Sequence, residues 1–114
     1  MLTSSCKAKG QKLSKAVKEL ILEHFPDLSD GDINVVPSGV TGPDLWLSPK
    51  AQEKLWLVIE CKMQESLSIW KAFEQAKSHV VENGKPQIPT LFYSRNRSEI
   101  MVSLRARDFL KMIS

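Results

Sequence analysis

The sequence contains little cysteine, few aromatic residues and no long apolar run. Its 114 residues include 2 cysteines, 5 glycines and 7% aromatic residues. The two cysteines lie far apart and no CxxC or Cys/His cluster accompanies them, which argues against a disulfide framework and against structural zinc. No stretch approaches the roughly 18 apolar residues of a membrane span, and the N-terminus has no apolar core of signal-peptide length. We therefore expect a cytoplasmic protein in a reducing compartment, with no membrane partner.

The net charge of the chain is small. Lysine and arginine total 16 and aspartate and glutamate 13, a net charge of +3. This permits a nucleic-acid partner, although the sequence has no basic tail. The composition, 42% hydrophobic and 25% charged, excludes a disordered chain, a collagen-like chain and a coiled-coil rod. The length predicts one domain spanning 1–114, of which residues 1–8 are expected to be flexible.

Periodicity and turn residues predict the order of elements. Apolar residues at helical spacing predict a helix over 9–25, and Pro26 ends it. Further helices are predicted from residue 66 or 68 to 82, ending at Asn83-Gly84, and over 106–112; strands are predicted over 33–36, 44–47, 55–62, 88–93 and 100–104, with a polar connection over 48–54. The fold class expected is α/β (α+β), with a central mixed β-sheet of about five strands and helices packed on it.

Two acidic residues on predicted neighbouring strands are the most informative feature. Asp44 opens one strand and Glu60 ends the next, and paired strands lie only about 4.8 Å apart. Lys62 follows Glu60 by two residues, so these two side chains project from the same face, whereas Cys61 projects from the other. The pattern predicts two carboxylates and an ammonium group at one point.

Such a cluster is suited to a divalent cation. Two neighbouring carboxylates repel each other unless a cation is present, and hard oxygen ligands with room for water suit Mg²⁺. A Mg²⁺ ion held by Asp44 and Glu60 would lower the pKa of a bound water and stabilise charge on a phosphate, and Lys62 would neutralise developing charge. The alternative is ordinary: a Glu-x-Lys pair in a soluble protein is usually a solvated ion pair. The end of a strongly apolar strand is an unfavourable place for such a pair.

The ordered series of segments resembles the PD-(D/E)xK nuclease superfamily. Pro43-Asp44 and Glu60-Cys61-Lys62 are similar to its core motif, and Ser38-Gly39 resembles the serine-glycine loop of archaeal-type Holliday junction resolvases. Segments similar to those of small phage-encoded resolvase-like endonucleases are 60–76, Leu47-Ser48-Pro49, Ser94-Arg95-Asn96-Arg97 and Asp108-Phe109-Leu110. The resemblance covers residues 9–112 and implies a restriction-endonuclease-like core.

The resemblance also implies roles for individual residues. Asp44 and Glu60 would be metal ligands, with the Cys61 carbonyl as a third, and Lys62 would be the catalytic lysine. Ser38 would lie near the active site, and Gln75 matches a polar helix position that often faces it. Many relatives carry a glutamate on the first helix where this sequence has Ser14. Glu19 is the nearest acid in that helix but lies out of register, so a first-helix metal ligand is in doubt.

The remaining candidates concern DNA binding and packing. Arg95 and Arg97 flank Asn96 in a predicted hairpin turn and are the best-placed phosphate contacts, with Lys9 and Lys12 of the lysine-rich N-terminal segment as the second choice. Scattered basic residues more often form a solvated face. Trp70 and Phe73 lie at helical spacing on an apolar face and are expected to pack in the core. His79 has no partner that the sequence reveals.

These observations together predict a Mg²⁺-dependent DNA endonuclease, with Mn²⁺ as a substitute ion. The resemblance implies that it resolves four-way junctions, and symmetric cleavage of two strands then requires a homodimer. One alternative is a PD-(D/E)xK nuclease acting on other branched, mismatched or duplex DNA, since the motif determines the chemistry but not the substrate. Another is a non-catalytic nucleic-acid-binding module that keeps the same fold.

Overall fold

Five strands form one mixed sheet, with helices packed against it. The computed structural model describes residues 4–82 and 84–114. The helices are α1 (Ser4–His24), α2 (Pro49–Leu55), α3 (Ile69–Ser78) and α4 (Ala106–Ile113), with a short 3₁₀ turn at Asp30–Asp32; the strands are β1 (Ile33–Val35), β2 (Leu45–Leu47), β3 (Leu57–Met63), β4 (Ile88–Ser94) and β5 (Met101–Ser103). The predicted α+β class with a five-stranded mixed sheet is confirmed.

The strands lie in the sheet in their order along the chain, β1-β2-β3-β4-β5. Neighbours are antiparallel except β3 and β4, which are parallel and are joined by the crossover helix α3. The short β4–β5 connection is an antiparallel hairpin, as predicted. Because β2 and β3 are adjacent, the chain before β2 lies beside the end of β3.

The main core lies between α1 and one face of the sheet. Leu13, Val17 and Ile21 of α1 are buried there, together with Ile59 and Cys61 of β3. Alternate strand residues point to opposite faces, so Glu60 and Lys62 point away from this core, towards the face on which α3 packs. The charged pair therefore avoids the densest apolar packing of the protein.

The helix boundaries differ from prediction in three places. Helix α1 begins at Ser4, five residues before its predicted start at residue 9, and residues 1–3 lie outside the described residues. Helix α3 ends at Ser78, not at residue 82; Asn83, part of its predicted end, lies outside the described residues. The predicted polar connection over 48–54 contains α2, which the Ser48 side chain caps by accepting a hydrogen bond from the Ala51 N–H.

The predicted core role of Trp70 is wrong, because its side chain is 86% exposed. Helix α3 packs on the sheet through Ala72 and Ala76, both buried, and such small side chains let the helix backbone approach the strands closely. Phe73 is half-buried. Within the described residues, no helix combines the length and the apolarity that crossing a bilayer requires.

Candidate metal and nucleic-acid site

Asp44 is held rigidly at the start of β2. Its backbone N–H donates to the Ile59 carbonyl at 2.8 Å, and its own carbonyl accepts from the Val36 N–H at 3.0 Å. Its side-chain Oδ2 accepts a hydrogen bond from the Cys61 N–H at 2.7 Å. The backbone of β3 thus fixes the Asp44 carboxylate beside the Glu60-Cys61-Lys62 segment.

Glu60 is a buried carboxyl with an incomplete set of partners. Its side chain is only 8% exposed. Burial, together with the neighbouring Asp44 carboxylate, raises the pKa of Glu60 to about 8. Lys62 Nζ lies 4.0 Å from Glu60 Oε1, too far for a hydrogen bond. Among the described residues, none donates a hydrogen bond to Glu60 Oε2, which is fully buried.

The predicted catalytic and metal-binding residues, with the exception of Gln75, line one cavity of about 230 Å³. Its walls include Ser38, Asp44, Glu60, Cys61 and Lys62. Gln75 instead lies exposed on α3, outside this lining, and the structure does not bring it to the two acids. Glu19 is also exposed on α1, away from the cavity. The structure therefore groups the carboxylates, the lysine and the loop serine, and leaves the helix candidates apart.

Two further polar residues of α1 line the same cavity. Gln11 Nε2 donates to the Val36 carbonyl at 3.1 Å and to Ser38 Oγ at 3.5 Å, so it joins α1 to the serine loop. Ser14 is buried and lines the cavity together with Cys61. It occupies the position at which the resemblance expects a glutamate. The three-residue spacing of Gln11 and Ser14 places them on one helix face, but the sequence alone does not show that this face borders the acids.

His79 is a further neighbour that the sequence did not reveal. It follows the last residue of α3, and its Nε2 lies 3.4 Å from Glu60 Oε2. Its side chain is 21% exposed. The two residues are far apart in the sequence, and only the packing of α3 on β3 brings them into contact.

The basic residues lie along cavities that adjoin the acidic one. A cavity of about 240 Å³ is lined by Lys9 and Arg95, and it shares Met63 and Gln64 with the cavity of the acids. A larger one, about 790 Å³, is lined by Arg95 and Arg97. Lys12 is exposed on α1, outside the lining of these three cavities. The shared walls make one groove from the two acids to the β4–β5 turn.

The residues present fit a hard divalent cation. Two adjacent carboxylates, one with a buried oxygen that lacks a partner, are the donor set that Mg²⁺ accepts while it keeps several waters. Within residues 4–82 and 84–114, no group of three or more His, Cys, Asp or Glu side chains is arranged to hold a metal ion. The protein would thus supply two carboxylates, and water or a substrate phosphate the other ligands.

Comparison with known proteins does not identify a relative. No protein-family model matches the sequence, and no curated protein and no solved structure is significantly similar to it. The function is therefore inferred from the geometry of the site and from the motif resemblance.

Proposed function

We propose that the protein is a Mg²⁺-dependent DNA endonuclease that cleaves four-way junctions as a homodimer. One observation carries the proposal: Asp44, Glu60 and Lys62 line a single cavity, with the two carboxylates next to each other. A pair of acids with a lysine beside them is suited to metal-assisted phosphodiester hydrolysis. The motif resemblance supports the same chemistry.

Each side chain of the cavity would have a separate role in this reaction. Asp44 and Glu60 would hold the metal ion, which supplies charge stabilisation and an activated water when bound. Lys62, whose side chain is 25% exposed, reaches from β3 into the cavity, where it would neutralise charge on the phosphate in the transition state. Ser38 lines the same cavity, where its hydroxyl would bind a phosphate oxygen.

The groove supports DNA as the substrate. Arg95, Arg97 and Lys9 line the cavities that continue from the acids, so the phosphates of a strand lying along this groove would meet these basic side chains. Contacts of this kind bind the backbone and do not read bases. Recognition would then depend on the shape of branched DNA.

A second copy of the chain is the partner that the α4 surface fits best. Helix α4 carries an apolar stripe of Phe109, Leu110 and Ile113, each 49% or more exposed, beside the edge strand β5. Paired cuts on two strands need two active sites related by symmetry, and a self-complementary apolar surface provides such a dimer.

Cleavage of a synthetic four-way junction in Mg²⁺, beside a matched linear duplex, tests the proposal. We expect paired nicks near the branch point for the wild type and a loss of at least 100-fold in rate for Lys62→Ala. Lys50→Ala is the matched control, because Lys50 is exposed on α2 and lies outside the lining of the acidic cavity. It should cleave like the wild type.

The other outcomes separate the alternatives. Equal cleavage of duplex and junction, still dependent on Lys62, would keep the active site but contradict the junction preference. DNA binding without cleavage in either Mg²⁺ or Mn²⁺ would favour a non-catalytic nucleic-acid-binding module. Calorimetry with Mn²⁺ on the wild type and on Asp44→Ala would then show whether a metal site exists at all.

A further inference from the structure

The buried oxygen of Glu60 has one polar neighbour on the side of α3. Oε1 is the Glu60 oxygen nearest to Lys62 Nζ, and Lys62 lines the cavity. Oε2 is fully buried, and among the described residues it receives no hydrogen bond. The closest cationic or imidazole nitrogen to Oε2 is His79 Nε2, at 3.4 Å. The two carboxylate oxygens therefore face different surroundings.

An ionised carboxylate with one buried oxygen that accepts no hydrogen bond destabilises the folded protein. A donor N–H at that oxygen offsets this penalty. His79 is suited to donate, because its ring lies within a few tenths of an ångström of hydrogen-bond distance and α3 fixes its backbone. The backbone N–H of His79 donates to the carbonyls of Ala76 and Lys77, which anchors the residue at the end of the helix.

We propose that His79 is a positioning residue for the metal site: its Nε2–H donates to Glu60 Oε2 and so directs Oε1 towards the cation. This inference rests on the proposed function. His79 is outside the lining of the cavity, so it acts through Glu60 and not on the ion itself. Partners of this kind orient a metal-ligating carboxylate, and their loss typically lowers metal affinity by about 10- to 100-fold.

The test is the affinity for Mn²⁺ alone, measured by electron paramagnetic resonance without DNA. His79→Leu removes the donor, and we expect it to weaken Mn²⁺ binding by about 10- to 100-fold. His79→Gln places an amide N–H near the position of Nε2, and we expect it to bind Mn²⁺ within about threefold of the wild type, because the donor is kept. His24→Leu is the matched control: its ring contacts the Leu20 carbonyl at the end of α1, and it should leave the affinity unchanged.

Each outcome has a distinct meaning. Mn²⁺ binding by His79→Leu equal to the wild type, or by His79→Gln as weak as His79→Leu, would overturn the positioning role and leave the metal site intact. Direct imidazole nitrogen coupling to Mn²⁺ in the wild type would also overturn it, because His79 would then be a ligand. A wild type that does not bind Mn²⁺ would refute the proposed metal site, and the inference with it. Circular dichroism of both His79 variants verifies that they are folded.

Discussion

Glu60 is the residue at which the requirements of folding and those of the proposed metal site conflict. It lies on an apolar strand, with a side chain only 8% exposed, beside a second carboxylate. Burial and Asp44 both favour its neutral form, so its pKa rises from 4.5 to about 8. A buried acid of this kind reduces the stability of the folded chain at neutral pH, and a cation between the two acids would remove the penalty.

The raised pKa of Glu60 predicts how stability depends on pH without metal. The folded protein holds this proton up to about pH 8, whereas the unfolded chain releases it near pH 4.5. The protonated Glu60 therefore contributes fully to the free energy of unfolding below pH 4.5, and this contribution is lost as the pH rises to 8. The loss is about 1.4 kcal/mol per pH unit at most. Thermal unfolding in chelator should show this loss in the wild type, and Glu60→Gln should lack it.

Added Mn²⁺ should offset the loss of stability at high pH. Mn²⁺ binds the ionised carboxylates, so it should raise the melting temperature of the wild type most at the upper end of this pH range. It should have little effect on Glu60→Gln. Parallel pH curves for the wild type and Glu60→Gln in chelator would contradict the prediction.

Helix α4 is the element whose apolar side chains are left most exposed within one chain. Its apolar residues fall at helical spacing, yet none of its eight residues, all of them described, is buried. The preceding strand, β5, pairs with β4 on one side only, so its other edge has unpaired backbone groups. A helix with an exposed apolar stripe is typical of a surface that another chain covers.

Substitution of Leu110 tests whether α4 forms the homodimer contact. Leu110→Glu places a charge in the apolar stripe, and we expect self-association to weaken by at least tenfold, because that charge would be buried without a partner. Lys111→Glu is the matched control, since it introduces the same group at the adjacent position of the polar face. Sedimentation velocity over a range of concentrations provides the measurement. A monomeric wild type, or a Leu110→Glu dimer as tight as the wild type, would contradict the interface.

The groove is a property of the whole molecule, because several elements form it. The acids belong to the β2–β3 side, Lys9 to α1, and Arg95 and Arg97 to the turn between β4 and β5. Arg97 has a left-handed backbone, with a φ of 58°. Its side chain therefore projects from a tight turn and not from a regular strand. The groove is mixed in charge, because Glu65 and Glu99 line it together with Lys9, Arg95 and Arg97. The three basic residues are the groups in it that would bind the phosphates of a DNA backbone.

Arg97→Gly tests whether the groove binds DNA. The substitution should not disturb the turn, because glycine adopts a left-handed backbone readily. If Arg97 contacts one phosphate, the slope of log affinity against log salt should fall in magnitude by about 0.9. Affinity for junction DNA should fall as well, in anisotropy titrations with Ca²⁺ in place of Mg²⁺. Lys50→Ala should leave the slope unchanged. An unaltered slope for Arg97→Gly would place the DNA elsewhere.

Sequence reasoning failed where local patterns were ambiguous. The Ser48-Pro49 pair is a good helix start, but the polar residues after it read as a connection, and the short α2 was missed. Trp70 fits an apolar helix face, yet α3 packs through Ala72 and Ala76. Helical spacing predicts that a face is apolar, but it does not predict which part of that face the sheet covers. The missed contacts of His79 and Gln11 had no local signal at all.

The sequence by itself determined the α+β class, the five strands, and the pattern of two acids and a lysine. These features depend on local periodicity and on spacing along the chain, which short-range sterics and burial dictate. Only the tertiary structure decided which other groups surround the two acids: Gln75 lies outside their cavity, Gln11 lines it, and His79 reaches Glu60. These contacts join residues distant in sequence, so they depend on how helices and strands pack, which no local pattern specifies.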